Sequence, residues 1–165
     1  MDPLFEILER TRGVTQSDDY HPEGDVFIHS VQTMRWAFRE TDDTDLILAA
    51  MLHDVGKIAG SKGHEEVSVR LVKDLVSVKT CWLIENHMRV WYWLLGNMKK
   101  FSKVKNMADH PWLPELVQLA RFDKLGRNPN SKVQYDKTEI VGRLVACSER
   151  HFRCPEPKVL GLFDN

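Results

Sequence analysis

Apolar residues recur at three- and four-residue intervals along most of the chain, whereas the alternation of apolar and polar positions that is typical of strands is almost absent. This pattern predicts an all-α fold. The first predicted helix begins at Asp2 and ends by Gly13, and the second spans about 26–40. The third begins after 41–44 and ends by Gly56. Two more span about 64–76 and 78–93, another begins at Pro114 and ends by Gly126, and the last spans about 138–151. Residues 14–25 are predicted to form a polar loop, and residues 96–111 a loop around a short helix.

The third predicted helix has the least polar surface, so we expect it to lie at the centre of the fold. Two polar residues, His53 and Asp54, stand directly behind its apolar run. A histidine and an aspartate are costly to bury unless they are paired or coordinate a cation. Their position therefore favours a chemical role.

Length and composition indicate one soluble domain. The chain has 165 residues, of which 42% are hydrophobic, enough for one core, and we expect a single domain over 1–165 with its core at about 20–150 and a tail at about 152–165. The 23 basic and 24 acidic residues nearly cancel, so any anion site must be local. The widely spaced Cys81, Cys147 and Cys154 favour reduced thiols. With neither a signal sequence nor a membrane-spanning run, the chain is expected to be cytoplasmic.

Further histidines and an aspartate occur on separate predicted helices, namely His29, His64, His87 and Asp123. A single histidine beside an apolar stripe is more often a hydrogen-bonded core residue than a ligand. The recurrence of such residues on several helices changes that balance, because each of them could face one shared cavity.

The order of His29, the pair His53-Asp54 and Asp123 resembles the signature of the HD-domain metal-dependent phosphohydrolases. Local segments extend this resemblance over about 20–130. They are similar to the HD domain attached to some bacterial tRNA nucleotidyltransferases and to the HD modules of RNA-end repair enzymes, and they comprise 21–29, 63–65, 87–88 and 123–127. The nucleotidyltransferase domain itself has no counterpart here, so the resemblance carries over the hydrolase part alone.

The resemblance implies a first metal ion held by His29, His53, Asp54 and Asp123. In dinuclear members of the family a second ion is present, and here Asp54 would bridge to it while His64 and His87 complete its ligands. Imidazole and carboxylate ligands suit Mn, Fe, Ni, Co or Zn better than Mg. Two alternatives to the second site stay open: His64 capping its helix or meeting the substrate, and His87 binding phosphate as an imidazolium.

The same resemblance implies hydrolysis of a nucleotide or RNA-end phosphoester, either a 2′,3′-cyclic phosphate or a phosphomonoester, by a metal-bound hydroxide. Asp54 and Lys57 are the expected catalytic residues, and Lys57 and Arg127 are expected to bind the substrate phosphate. A lysine that compensates the negative end of a helix is an equally good interpretation of Lys57. Glu65 is a candidate for orienting His64, although a solvated glutamate is the commoner case.

Missing motifs narrow the choice of substrate. The pair His53-Asp54 is not followed by the acidic pair of guanosine tetraphosphate hydrolases, and no Gly-Tyr-Pro follows His87 as in cyclic-di-GMP phosphodiesterases. The rival functions are a 5′-deoxynucleotidase, a nucleotide-binding regulatory module without turnover, and an oxygenase with two iron ions. Oligomeric state stays open.

One further segment combines positive charge with aromatic residues. Trp91-Tyr92-Trp93 is followed by a lysine-rich stretch over 99–105, which could guide a nucleic-acid end. Because lysine runs usually face solvent and tryptophans usually fill cores, the sequence favours an ordinary surface here and leaves stable nucleic-acid binding open.

Overall fold

The computed structural model describes residues 1–17 and 20–151, and within them it contains helices and no strand. The helices are α1 Asp2–Glu9, α2 Val26–Glu40, α3 Thr44–Leu52, a 3₁₀ helix Val55–Ala59, α4 His64–Val72, α5 Val78–Asn86, α6 Arg89–Leu94, α7 Phe101–Ala108, α8 Leu113–Leu125 and α9 Lys137–His151. The predicted all-α fold is confirmed. The predicted tail at 152–165, with Cys154, lies outside the described residues.

The central position predicted for the third helix is confirmed, since α3 contacts α2, α5, α8 and α9. Its side chains Leu46, Ile47, Met51 and Leu52 are fully buried. Burial of each side chain of this size stabilises the fold by about 1.5–3 kcal/mol. Asp43 fixes where the helix begins, because its carboxylate accepts hydrogen bonds from the first backbone N–H groups.

The third helix ends earlier than the sequence predicts, at Leu52 instead of near Gly56. Asp54 leaves the helical conformation with φ −107° and ψ 4°, and a 3₁₀ helix follows. Successive side chains of an α-helix point about 100° apart. The end of α3 therefore allows His53 and Asp54, although adjacent, to face one centre.

The prediction of one continuous helix over about 78–93 is wrong, because α5 ends at Asn86 and α6 begins at Arg89. The interruption lies at His87 and Met88. The Nδ1 of His87 is 2.6 Å from the carbonyl oxygen of Ile84, which the backbone N–H of Met88 would otherwise reach in a continuous helix. The histidine ring thus takes the place of a helical hydrogen bond. The short helix predicted within 96–111 is present as α7.

None of the described helices combines the length and the hydrophobicity that crossing a lipid bilayer requires.

Two elements approach each other closely at Gly56, in the 3₁₀ helix. A Cβ atom at this position would lie 2.1 Å from the carbonyl oxygen of His64 and 2.6 Å from the backbone nitrogen of Ser68. The Gly56 N–H donates a hydrogen bond to the hydroxyl of Ser68, and that hydroxyl donates to the carbonyl of His53. Only glycine allows this contact between backbone segments.

Gly56→Ala is expected to destabilise the protein by more than about 2 kcal/mol, since the clashing atoms belong to the backbone of α4 and cannot rotate away. Gly142→Ala is the matched control. Gly142 lies inside α9, and no atom of the described part of the chain would lie within 4 Å of a Cβ there, so alanine should stabilise the protein by up to about 1 kcal/mol. Urea unfolding of both variants measures the difference; equal stabilities would contradict the proposed clash.

Candidate metal centre

Six ionisable side chains converge in the interior at the ends and inner faces of five helices. Each is at most 5% exposed to solvent. The six are His29 from α2, His53 and Asp54 from the turn after α3, His64 from the start of α4, His87 from the turn after α5, and Asp123 from α8. The structure thus brings together all the residues that the sequence named as candidate metal ligands.

A first group of ligand atoms consists of the Nε2 atoms of His29 and His53, Oδ2 of Asp54 and Oδ1 of Asp123. The Nε2 of His29 lies 2.9 Å from Asp123 Oδ1, 3.3 Å from the Nε2 of His53 and 3.6 Å from Asp54 Oδ2. The Nε2 of His53 lies 3.4 Å from Asp54 Oδ2 and 3.6 Å from Asp123 Oδ1. Atoms held at about 2.0–2.2 Å from one cation are separated by distances of about this size.

A second group consists of the Nε2 atoms of His64 and His87 together with Oδ1 of Asp54. The two nitrogens are 3.1 Å apart and lie 3.0 Å and 3.4 Å from that oxygen. Asp54 is therefore common to both groups, with one carboxylate oxygen facing each. This is the arrangement that a carboxylate bridging two cations requires.

In each of the four histidines of the centre, Nδ1 lies within hydrogen-bond distance of a backbone carbonyl, and in His29 it lies beside the Glu23 carboxylate as well. The acceptors are Gly126 for His29 at 3.0 Å, Ala50 for His53 at 2.9 Å, Ser61 for His64 at 2.8 Å and Ile84 for His87 at 2.6 Å. A neutral imidazole that donates from Nδ1 has a free lone pair on Nε2. The backbone thus selects the tautomer that a metal ligand needs.

This tautomer also tests whether a cation fits. Two pairs of Nε2 atoms lie 3.3 Å and 3.1 Å apart, His29 with His53 and His64 with His87. Two lone pairs at that distance repel each other unless a proton or a cation lies between them. The buried nitrogens and carboxylates are donors suited to a transition metal, so the residues present fit such an ion.

Charge coupling within the centre is strong. Burial alone would lower the pKa values of His29 and His53, but the neighbouring carboxylates outweigh it and raise them to about 9 and about 10. For Asp54 and Asp123 burial acts to raise the pKa, and the surrounding histidines hold it well below the ordinary value. Burial lowers the pKa of His87. The centre thus holds two carboxylates that attract positive charge.

The two predicted phosphate-binding residues lie beside the centre. Lys57 Nζ donates to Asp54 Oδ2 at 3.0 Å and to Gln16 Oε1 at 2.5 Å, so it contacts the shared carboxylate directly. It does so from the 3₁₀ helix and not from an extended α3. The Nη2 of Arg127 lies 3.7 Å from Oδ2 of Asp123. The buried Nε of Arg127 has no hydrogen-bond partner among the described residues.

Sequence reasoning missed Glu23, which is only 6% exposed. Its Oε1 lies 3.1 Å from Nδ1 of His29 and 2.9 Å from Nδ1 of His21, and its other oxygen has no partner among the described residues. Burial would raise the pKa of Glu23, but hydrogen bonds from His21 and His29 lower it to about 2. Glu23 lies in the loop predicted as polar, and its spacing of six residues from His29 gave no helical signal. Glu65, in contrast, is 3.7 Å from His64 Nδ1, which already bonds to Ser61.

Comparisons with known proteins agree with this geometry. A family model described as HD domain matches residues 26–128, more than half of the chain. The multifunctional CCA protein of Thioalkalivibrio sulfidiphilus (strain HL-EbGR7) is 38% identical over 79 residues, which cover 44% of this chain and 19% of that protein. The multifunctional CCA protein of Pasteurella multocida (strain Pm70) is 25% identical over 166 aligned positions, covering 86% of this chain and 40% of that protein.

The chain therefore spans less than half the length of these curated relatives. The resemblance noted in the sequence is confirmed by the family match, which includes His29, His53, Asp54 and Asp123. The chain belongs to the HD domain family, which is part of the superfamily of metal-dependent phosphohydrolases.

Proposed function

We propose that this protein is a metal-dependent phosphohydrolase that hydrolyses a nucleotide or RNA-end phosphoester, either a 2′,3′-cyclic phosphate or a phosphomonoester. The observation that carries the proposal is the position of Asp54, whose two oxygens face two separate groups of imidazole nitrogens. One carboxylate between two such groups suits a pair of cations, and paired cations are a common catalyst of phosphoryl chemistry.

The first ion would be held by His29, His53, Asp54 and Asp123, and the second by Asp54, His64 and His87. These donors favour Mn, Fe, Ni, Co or Zn over Mg. When bound, such ions activate water as a nucleophile and polarise the phosphoryl oxygens.

The chain's own residues would bind and orient the phosphate. Lys57 contacts Asp54 and is 11% exposed, so its ammonium can meet a phosphate oxygen at the edge of the centre. Arg127 has a side chain that is 29% exposed, so its guanidinium can contact a second phosphate oxygen. Asp123, held near Arg127, would keep that guanidinium in place.

The resemblance to the HD domains of tRNA nucleotidyltransferases and of RNA-end repair enzymes supports an RNA end as the substrate. A panel of phosphate esters assayed with Mn²⁺, Ni²⁺, Co²⁺ and Mg²⁺ tests the choice. Hydrolysis of 2′,3′-cyclic AMP without hydrolysis of 5′-dAMP is expected. The reverse preference would identify a 5′-deoxynucleotidase. Tight nucleotide binding without turnover would identify a regulatory module, and metal-dependent oxygen consumption would identify an oxygenase.

Asp54→Asn is expected to lower kcat by at least about a thousandfold, because the amide keeps the shape of the side chain but cannot bridge two cations as an anion. Metal content measured by elemental analysis should fall from two ions to one or none. Asp74→Asn, an exposed site after α4, is the matched control and should keep both properties. Full activity of Asp54→Asn across the metals would refute the mechanism.

Metal affinity is expected to rise with pH. At neutral pH, His29 and His53 are protonated in the metal-free protein because their pKa values are about 9 and about 10, so a binding cation must displace these protons. Affinity should increase by about tenfold per pH unit for each proton released, up to those values. Titration calorimetry in buffers of different ionisation enthalpy counts the protons, and binding without proton release would contradict this coupling.

Glu23→Gln is expected to weaken metal binding at the first group by about ten- to a hundredfold, because it removes the carboxylate that lies against Nδ1 of His29. Competition with a chromogenic chelator gives the affinity. Glu66→Gln makes the same chemical change at an exposed position of α4 and should leave the affinity unchanged. Equal affinities of the two variants would show that Glu23 has no orienting role.

A further inference from the structure

A cavity that is separate from the candidate metal centre lies between α6, α7 and the end of α5. Its volume is about 560 Å³. Its size is that of a typical small-ligand site. Its basic residues are Arg89, Lys99, Lys100 and Lys103, and its aromatic residues include Trp82 and Tyr92. The sequence favoured an ordinary surface for this segment, whereas the structure brings its lysines and an aromatic ring into one concave site.

Charge in the cavity is one-sided. No aspartate or glutamate among the described residues lines it, although the whole chain is nearly neutral. None of Lys99, Lys100 and Lys103 forms an ion pair within the described part of the chain, unlike Lys57 and Lys79 elsewhere. Cations that face a concave site without carboxylates attract an anion.

The aromatic residues divide into a fixed wall and an exposed ring. Trp82 is stacked on His110, with ring centroids 3.7 Å apart and planes 12° apart, so one of its faces is already covered. Tyr92 is 56% exposed and lines the cavity, whereas Trp91 and Trp93 pack against the core. An exposed ring beside several cations provides a stacking surface for a base next to contacts for phosphates.

The cavity is also close to the metal centre along the chain. Asn86 lines the cavity, and the next residue, His87, contributes its ring to the centre. Their Cα atoms are about 3.8 Å apart. The two sites are therefore neighbours at the end of α5.

We propose that this cavity binds single-stranded RNA, with Lys99, Lys100, Lys103 and Arg89 contacting phosphates and Tyr92 stacking on a base. The strand would place its terminal phosphoester in the metal centre, and in this respect the inference rests on the proposed function. Exposed apolar residues nearby, Leu95 and Phe101, would suit a protein surface, but four cations without a carboxylate favour a polyanion.

Fluorescence anisotropy with a labelled ten-nucleotide RNA, in EDTA to exclude turnover, tests the proposal. Lys99→Gln/Lys103→Gln should weaken binding at least tenfold and reduce the slope of log K against log salt by about 1.4, the value for two lost phosphate contacts. The matched control is Lys73→Gln/Lys105→Gln, which removes the same charge from exposed positions outside the cavity, one of them on α7. Its affinity and slope should equal those of the wild type.

Tyr92→Ala should weaken binding at least fivefold, whereas Tyr92→Phe, which keeps the ring, should not. The proposal is overturned if the wild type does not bind the RNA, if the cavity and control lysine variants bind alike, or if Tyr92→Ala binds as tightly as Tyr92→Phe. If free AMP displaces the RNA at a concentration equal to that of the RNA, the cavity binds a mononucleotide and the proposal of a bound strand is overturned.

Hydrolysis of bis(p-nitrophenyl) phosphate or of p-nitrophenyl phosphate by the metal-loaded wild type tests the metal centre without RNA. RNA binding that depends on the cavity, without any hydrolysis, would support the cavity and reject the proposed hydrolase. Hydrolysis together with RNA binding that is insensitive to the cavity variants would support the proposed hydrolase and reject the cavity as the RNA site.

Discussion

The carboxylate of Asp54, buried among four imidazole rings, is the interaction on which the rest of the structure depends. An ionised carboxylate is very costly to remove from water unless compensating charge surrounds it. Here the compensation comes from His29, His53, His64 and His87, which lie within 3.6 Å of its oxygens, and from Lys57 at 3.0 Å. These groups come from segments spread between positions 29 and 87, so folding must bring the segments together before the carboxylate can be buried at an acceptable free energy.

Helix ends provide the second part of this arrangement. The last carbonyl groups of an α-helix have no partner within the helix. Ala50 lies in the last turn of α3 and Ile84 in the last turn of α5, while Gly126 directly follows α8, and each of these carbonyls accepts from a histidine Nδ1. The centre thus provides hydrogen-bond donors to carbonyl groups at the helix ends. Helix length and histidine tautomer are linked for this reason.

Much of the fold followed from the spacing of apolar residues, because the interior stripes of α2, α3 and α8 are long and regular. The helix breaks at His53 and His87 could not be predicted in this way. Local propensity gives no sign that an imidazole Nδ1 will bind a backbone carbonyl that a continuing helix would use. The six centre residues were recognisable as a set because their order along the chain resembles that of the HD-domain family and its dinuclear members. Glu23 was not, because its contact with His29 depends on a loop that folds back onto α2. Lys57 was expected at the negative end of a helix, but α3 ends before it. The cavity beside α7 depends on tertiary packing, which a lysine run alone does not reveal.

The glycine at position 56 has a consequence for how far relatives of this chain can diverge. The 3₁₀ helix after Asp54 lies against α4 at main-chain distance, and the small hydroxyl of Ser68 joins the two. The spacing between the shared carboxylate and His64 is therefore set by the width of the polypeptide backbone itself. Core residues elsewhere can exchange size and shape over evolutionary time without altering that spacing, so the geometry of the centre can persist in chains whose hydrophobic interiors have little sequence in common.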